Sequence, residues 1–472
     1  MPPSPPSRPL PTVPVSAPQL PGKAPLNARS AAIETLLAWM DDHKPVDLHF
    51  NRLTTGLDPR DRGFAKSLVY GVLRHRQYLD WTIQRFSKHP LAKMKPRTLV
   101  TLEVGVLQIL LLDRIPGSAA VNATVDTLKR AKQPRWLLGF VNGVLRTISR
   151  QAQQLEQEEE ARDQGRPILN HPQWLIARWQ QQFGLQQATA ICRVNNRPPL
   201  LTLRVNSRRS DRTELLQSFL EQGLEARSCP HSPLGISLAN YSGQITDLPG
   251  FTQGSFVVQD ESAQLASLLL GPLDRGPRIL DGCAGLGGKT SHLAQAMGRE
   301  GMVVAVEPEA RRFQLLGENL DRLGLAARTT LIQATLEEFA LGQPQPFEAI
   351  LLDAPCSGSG VIRRQPDIRW SRQPGDLARY QQTQLALLTT CAGLLGAKGR
   401  LVYATCSLEP EENQEVIALF LKEQPDFRLE DARTYLPVSA HALVDEQGFF
   451  RPAPAPDHDG FFAAALCRGS AL

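Results

Sequence analysis

The sequence has few cysteines and no long apolar run, and these absences exclude several classes of protein. Its 472 residues include seven cysteines, an odd number with no CxxC pair, which disfavours a disulfide framework and a compact zinc site. No apolar segment reaches the ~18 residues that a membrane-spanning helix needs, and no signal peptide is recognisable. We therefore expect a protein of the reducing cytoplasm that binds neither a membrane nor a metal.

Positive charge is concentrated in one part of the chain. The formal net charge is only +5, but residues 28–150 carry 20 Lys and Arg against 10 Asp and Glu. Such an excess suits a polyanionic partner such as a nucleic acid, although solvated helix faces would give the same count. Several of the cations are clustered along the chain, notably Arg74, Arg76, Lys129, Arg130, Lys132 and Arg135.

The distribution of prolines, glycines and apolar residues divides the chain into segments. Residues 1–27 are rich in proline and lack acidic residues, which predicts a disordered tail. Residues 28–150 carry apolar residues at helical spacing throughout and predict an all-helical domain. A polar linker or solvated helix is expected over 151–168, and a small α+β module over 169–255.

Strand and helix patterns alternate over residues 256–472, which is typical of a doubly wound α/β domain with a parallel sheet. Ligands bind at the carboxyl ends of the strands in such a sheet, so motifs at those ends are candidate site residues. The predicted strands are 278–281, 302–307, 330–333, 347–353, 400–405, 449–451 and 461–467.

A glycine-rich loop follows the first of these strands. Its glycines permit a tight turn and close approach of the backbone to a ligand, and Glu307, at the end of the second strand, can accept hydrogen bonds from both ribose hydroxyls of an adenosine. Gly288-Lys289-Thr290 also matches the end of a P-loop NTPase motif, but the first glycine of that motif falls on Cys283. The candidate cofactor residues in and beside the loop are Asp281, Cys283, Ala284, Gly285, Leu286, Gly287, Gly288 and Lys289.

Two cysteine motifs end the fourth and fifth strands, which are neighbours in such a sheet. Cys356 follows Asp353-Ala-Pro, and Cys406 lies between a threonine and a serine. Carbon 5 of cytosine is too weak a nucleophile to take a methyl group unaided, and a thiolate that adds to carbon 6 activates it by covalent catalysis. Asp353 could accept from the exocyclic amine of the base, and Lys289 could hold charge near it. Spacing does not say which cysteine attacks.

The other four cysteines lie outside these motifs. A cysteine without a special environment is usually a small buried apolar residue. We expect that role for Cys192, Cys229, Cys391 and Cys467.

At these motifs the chain resembles the RsmB/Sun (Fmu) family of bacterial 16S rRNA cytosine-C5 methyltransferases, kin to the Nol/Nop/Sun enzymes. The strongest matches are the two cysteine motifs and Arg363-Arg-Gln-Pro-Asp367, and Phe140-Val-Asn-Gly-Val-Leu-Arg146 resembles the RNA-binding NusB domain. The resemblance implies three parts. These are an all-α NusB-like domain, a small α+β RNA-binding module and a Rossmann-like domain that uses S-adenosylmethionine.

The resemblance also implies roles for single residues. Cys406 would be the nucleophile, Cys356 would assist release of the product, and 283–289, Glu307 and Asp353 would line the cofactor site. The chain departs from the family pattern in two places, the loop and the end of the third strand. The family loop usually reads Cys-Ala-Ala-Pro-Gly-Gly-Lys, whereas this chain has Gly285 and Leu286 in place of Ala-Pro. The third family strand usually ends in an Asp that accepts from the adenine amine, and its nearest equivalent here is Thr335, an uncharged acceptor.

The sequence therefore favours a monomeric enzyme that methylates carbon 5 of a cytosine in 16S rRNA with S-adenosylmethionine. Three alternatives stay open. The substrate could be transfer RNA, the protein could be an RNA-binding assembly factor with little activity because Thr335 weakens cofactor binding, or the loop could belong to a P-loop NTPase.

Overall fold

The structure, a computed structural model, describes residues 26–112, 115–157, 162–163 and 166–469. The predicted order is confirmed: helices come first, a small mixed module follows, and an α/β domain ends the chain. The predicted disordered tail lies outside the described residues except for its last two positions. None of the helices in the described part combines the length and the hydropathy that crossing a bilayer requires.

The N-terminal helices pack around one apolar core. Asn27 caps the first helix by accepting from the Ser30 N–H, and Asp58 caps the third by accepting from the Asp61 N–H. The fourth helix is buried along almost its whole length because its sequence is mostly apolar. The sixth continues through the first residues of the predicted linker. The bounds are α1 Ala28–Asp42, α2 Val46–Leu53, α3 Pro59–Phe86, α4 Pro96–Leu110, α5 Gly117–Arg130 and α6 Arg135–Gln157.

The small module is built on an antiparallel sheet of four strands in the order β4-β5-β3-β6. Phe219 and Phe256 pack in its core with ring centroids 6.1 Å apart. Strand β6 begins at the first residue of the predicted catalytic domain, yet it pairs with β3. The elements are β1 Arg162–Asp163, β2 Arg166–Pro167, α7 Gln173–Asn195, β3 Leu201–Val205, α8 Arg212–Glu221, β4 Ala226–Ser228, β5 Gly235–Leu238 and β6 Phe256–Val258.

The C-terminal domain contains a seven-stranded sheet in the order β12-β13-β11-β10-β7-β8-β9. The five strands from β11 to β9 are parallel, and β13 runs antiparallel to both β11 and β12. The elements are α9 Glu261–Leu268, β7 Arg278–Asp281, α10 Gly288–Ala296, β8 Met302–Val306, α11 Ala310–Leu323, β9 Thr329–Ile332, α12 Leu336–Leu341, β10 Phe347–Asp353, α13 Ile368–Ser371, α14 Asp376–Leu394, β11 Leu395–Thr405, α15 Gln414–Glu423, β12 Phe427–Glu430 and β13 Phe462–Arg468.

For the seven-stranded sheet, one predicted strand is wrong and one strand was not predicted. Residues 449–451 form only isolated bridges through Phe450, because Gly448 precedes them in a left-handed conformation and Pro452 follows without an N–H to extend a ladder. The unpredicted strand is β12, a short edge strand that pairs only with β13.

The segment after the Cys356 motif joins the catalytic domain to the helices before it. Arg369 is fully buried and donates to the backbone carbonyls of Arg74, Asn170 and Asn195. The indole N–H of the adjacent Trp370 donates to a carbonyl of α3 at 2.6 Å. These bonds fix the N-terminal helices and α7 against the catalytic domain.

The same segment holds a buried ion cluster. Arg363 and Arg364 both donate to Asp459, and Arg364 also donates to Asp260 at 2.8 Å. Asp459 is 1% exposed, so its carboxylate compensates two guanidinium groups in a place that water hardly reaches. Removing one partner of such a buried cluster leaves uncompensated charge.

Asp459→Asn should therefore destabilise the fold by about 3–5 kcal/mol, which corresponds to a fall of roughly 6–20 °C in the unfolding midpoint of a domain of this size. The matched control is Asp457→Asn, two residues away, because the Arg227 side chain that pairs with Asp457 is 64% exposed. That surface pair should contribute about 0–1 kcal/mol. Equal midpoints for the two variants, measured by differential scanning calorimetry, would contradict the buried cluster's role.

Candidate active site

The glycine-rich loop lies where the strand order reverses, between β7 and β10. Gly285 and Gly287 adopt left-handed φ values of 56° and 85°, which L side chains rarely adopt. A Cβ at Gly287 would also lie 2.5 Å from a methyl carbon of Leu316. No atom of the described residues lies within 4 Å of a Cβ at Gly285, so the positive φ rather than packing favours glycine at this departure from the family pattern.

Two carboxylates flank this loop at adjacent strand ends. Asp281 is buried and accepts from the Thr290 hydroxyl at 2.7 Å, while its other oxygen has no hydrogen-bond partner among the described residues. Burial raises the pKa of Asp281 to about 6. Glu307 is 4% exposed and accepts from the Glu309 N–H at 2.9 Å through one oxygen. Acceptors of this kind suit a ligand that carries hydroxyl or ammonium groups.

Lys289 and Asp353 form an ion pair at the edge of the same cleft. The Lys289 ammonium donates to Asp353 at 2.6 Å and lies 5.0 Å from the centre of the Phe461 ring. A P-loop lysine instead reaches toward the β- and γ-phosphates of a nucleotide. The pairing with Asp353 therefore gives the NTPase alternative no support.

The two motif cysteines meet at the ends of paired parallel strands. Strands β10 and β11 pair through Asp353 and Ala404, and the Cys356 and Cys406 sulfurs lie 3.3 Å apart beyond them. The pKa of Cys356 is raised well above its usual value, mainly by the hydrogen bond with Cys406 and secondly by burial of the Cys356 thiol. A raised pKa favours the thiol form of Cys356, and either sulfur can be the donor in the contact between the two cysteines.

A buried glutamate ties the two cysteine loops together. Glu412 accepts from the Ser357 N–H at 2.7 Å and from the hydroxyls of both Ser357 and Ser407. These serines directly follow Cys356 and Cys406. Glu412 is fully buried, and this burial raises its pKa.

The long helix α7 contacts the loop that follows Cys406. The Trp179 indole N–H donates to Glu409 at 3.1 Å, and Arg178 donates to the other oxygen of Glu409 at 2.9 Å. Gln182 donates to the Leu408 carbonyl at 2.9 Å. A helix outside the catalytic sheet thus helps to set the position of the Cys406 loop.

Thr335 occupies a structural position. It caps α12: its hydroxyl accepts from the Glu338 N–H at 3.2 Å, and the Glu338 carboxylate accepts from the Thr335 N–H at 2.8 Å. Its role toward a cofactor stays a prediction.

Most of the predicted site residues gather at one edge of the sheet. Ala284 is buried, Leu286 is 52% exposed, and Cys283 is partly exposed. Burial of Cys192, Cys229 and Cys391 is confirmed, whereas Cys467, near the end of β13, is only partly buried. The sequence did not reveal the roles of Glu412, Ser357, Ser407, Glu409 and Phe461; the only signal was the acidic run that follows the Thr-Cys-Ser motif.

Comparisons with known proteins agree with this architecture. The model of the family "16S rRNA methyltransferase RsmB/F" matches residues 267–467, that of the NusB family matches 26–150, and a ferredoxin-like domain of RsmF/B-like methyltransferases matches 171–243.

Curated relatives are similar over most of their length. The probable ribosomal RNA small subunit methyltransferase B of Synechocystis sp. is 37% identical over 87% of this chain and 92% of its own. The ribosomal RNA small subunit methyltransferase B of Pseudomonas putida is 37% identical over 94% of this chain and 99% of its own.

Solved structures share the fold. The crystal structure of PH0851 superposes with a TM-score of 0.74 at 23% identity, covering 94% of this chain and all of its own. A methyltransferase homolog from Pyrococcus horikoshii superposes with a TM-score of 0.54 at 28% identity, covering 64% of this chain and 96% of its own.

The contact between the two sulfurs predicts coupled thiol reactivity. Because Cys406 is the first cause of the raised Cys356 pKa, Cys406→Ala should shift the pH–rate profile for alkylation of Cys356 by iodoacetamide to lower pH. Peptide mass spectrometry measures this rate, with the buried Cys391 as an internal control. A faster rate without a shift along the pH axis would reflect access alone, and an unchanged profile would contradict the sulfur–sulfur contact.

Proposed function

The chain belongs to the 16S rRNA methyltransferase RsmB/F family, and from this premise we propose that it methylates carbon 5 of a cytosine in 16S rRNA with S-adenosylmethionine. The main support for this proposal is the pair of cysteine loops at strand ends beside a glycine-rich loop, where the two sulfurs lie 3.3 Å apart. The two thiols at one edge of the sheet match the needs of an addition to the base followed by elimination.

The residues at the strand ends suit S-adenosylmethionine, which supplies the methyl group when bound. The Glu309 N–H donates to one oxygen of Glu307 and so helps to fix its carboxylate. The other oxygen can accept from the ribose hydroxyls. Asp281 has a buried oxygen without a partner in the described part of the chain, which suits the ammonium of the amino acid group. Gly285 and Gly287 let the backbone approach the ligand closely.

In the proposed reaction Cys406 adds to carbon 6 of a cytosine that has left its stack, and carbon 5 becomes nucleophilic. After carbon 5 has taken the methyl group it loses its proton to a base, the carbon–sulfur bond breaks, and Cys406 leaves as the thiolate. Asp353, held by Lys289, accepts from the exocyclic amine of the base.

The assignment of Cys406 rather than Cys356 as the nucleophile follows the family resemblance. Cys356 would then act at the end of the cycle, when the enzyme separates from the methylated base.

The proposed substrate is 16S rRNA in the cytoplasm. The relatives carry the name of small subunit rRNA methyltransferases, and the excess of positive charge in residues 28–150 suits an RNA partner. Methylation of transfer RNA alone would show that the substrate is transfer RNA and not 16S rRNA. RNA binding without methylation would favour the assembly factor.

Cofactor binding should depend on Glu307. Glu307→Ala removes a charged acceptor worth about 1.5–3 kcal/mol, so the dissociation constant for S-adenosylmethionine should rise about tenfold or more. Calorimetry measures it, with Glu318→Ala, an exposed position on α11, as the matched control. An unchanged constant in Glu307→Ala would show that this strand end does not hold the ribose.

The two cysteines should fail in different ways. Cys406→Ala should neither methylate RNA nor form a covalent complex, although it should still bind RNA. Cys356→Ala should attack and methylate but release slowly, so it should accumulate a protein–RNA adduct that survives denaturing gel electrophoresis. The double variant should form no adduct, because trapping requires the attack first.

Two results of the cysteine experiment would contradict the assignment. An adduct from Cys406→Ala and none from Cys356→Ala would exchange the two roles. Methylation that persists in both variants without any adduct would remove covalent catalysis by these residues.

A further inference from the structure

The N-terminal domain exposes a large aromatic side chain that the proposed chemistry does not use. Trp136 is 71% exposed, whereas the adjacent Leu137 is 6% exposed and packs in the core. Trp136 lies in the first turn of α6. Because another face of that helix packs against the core, the Trp136 indole extends into solvent.

A second segment adds aromatic surface on the same side of α6. Phe140 follows Trp136 by four residues, which places both on one face of the helix. The ring of His89, in the segment after α3, meets the Phe140 ring edge-on with centroids 5.2 Å apart. Phe140 is half-buried and His89 is exposed.

Basic residues flank these rings. Lys88 precedes His89, and Lys132 and Arg135 lie in and just after the turn between α5 and α6; all three side chains are exposed. No ion pair within the described residues engages any of them. The first turn of α6 has no acidic residue, so its positive helix end adds to their field. We name Trp136, Phe140, His89, Lys88, Lys132 and Arg135 the aromatic–basic surface.

Two exposed glycines extend this face along α6. A Cβ at Gly139 or Gly143 would meet no atom of the described residues within 4 Å, so packing among these residues does not require glycine at either position. Each costs the helix roughly 1 kcal/mol relative to alanine. Their absence of side chains leaves the backbone open to close approach by a partner.

We propose that the aromatic–basic surface binds unpaired nucleotides of the RNA substrate, an inference that rests on the proposed function and places part of its RNA contact. Trp136 stacks on a base, and Lys132 and Arg135 contact phosphates. Aromatic rings combined with unpaired cations are the means by which proteins hold single-stranded nucleic acid. In an A-form duplex the bases are stacked on one another and offer no free face to the indole.

The test compares variants of the full chain for binding to a labelled 16S rRNA transcript. Trp136→Ala should weaken binding roughly 5- to 150-fold, the range of one base–aromatic stack, and Trp136→Phe should retain most of the affinity. Because stacking carries no charge, Trp136→Ala should keep the wild-type dependence on salt. The double variant Lys132→Gln, Arg135→Gln should instead lower the slope of log K against log salt by about 1.4.

Three controls separate stacking from loss of structure or of charge. Val438→Ala removes an 82% exposed apolar side chain outside this surface and should bind the transcript as the wild type does. A fully paired RNA duplex of matched length should bind Trp136→Ala and wild type equally. The affinity of Trp136→Ala for S-adenosylmethionine should stay unchanged.

Wild-type affinity of Trp136→Ala for the transcript would overturn this inference while leaving the proposed function intact. An equal loss of affinity for duplex RNA would also overturn it. Unchanged RNA affinity with methylation lost only on particles that contain ribosomal proteins would assign the surface to a protein partner instead. A wild-type chain that fails to bind the transcript would count against the proposed function itself.

Discussion

One buried carboxylate, that of Glu412, joins the two loops on which the proposed chemistry depends. Parallel pairing of β10 and β11 brings the loops to the same edge of the sheet, but pairing alone leaves their side chains free to diverge. Glu412 removes that freedom because Ser357 and Ser407, the residues after the two cysteines, both donate to it. With the loops held in this way, the sulfurs of Cys356 and Cys406 meet at 3.3 Å.

The position of these loops is also connected to the parts of the chain that precede the catalytic domain. Helix α7 holds Glu409 through Arg178 and Trp179, and Arg369 binds backbone carbonyls of the N-terminal helices and of the residues around α7. Such buried bonds are costly to leave unmade. The geometry of the cysteine pair therefore depends on the packing of all three parts of the molecule.

Features that rest on local pattern could be predicted from the sequence. Strand β10 was predicted with its observed bounds, Phe347–Asp353, because a strand buried on both faces reads as a continuous apolar run. The neighbouring positions of Cys356 and Cys406 followed from the order of strands in a doubly wound sheet. The glycine loop was recognisable because left-handed backbone at Gly285 and Gly287 favours glycine.

Features that depend on contacts between distant segments could not be predicted. The carboxylate of Glu412 accepts from Ser357, which lies 55 residues earlier in the chain. No periodic pattern in the sequence indicates such a contact. The strand expected at 449–451 is wrong because a run of three residues between Gly448 and Pro452 can match a strand pattern. The run is too short to form a continuous ladder of hydrogen bonds with a neighbouring strand. Thr335 was considered only as a cofactor residue, yet its hydroxyl caps α12.

Covalent attack on cytosine by Cys406 can be tested directly with 16S rRNA that carries 5-fluorocytidine. Fluorine at carbon 5 blocks the loss of a proton there, so the wild-type enzyme with S-adenosylmethionine should remain bound to the RNA through a carbon–sulfur bond. We expect a cross-linked peptide that contains Cys406. A cross-link at Cys356, or methylated RNA without any cross-link, would contradict it.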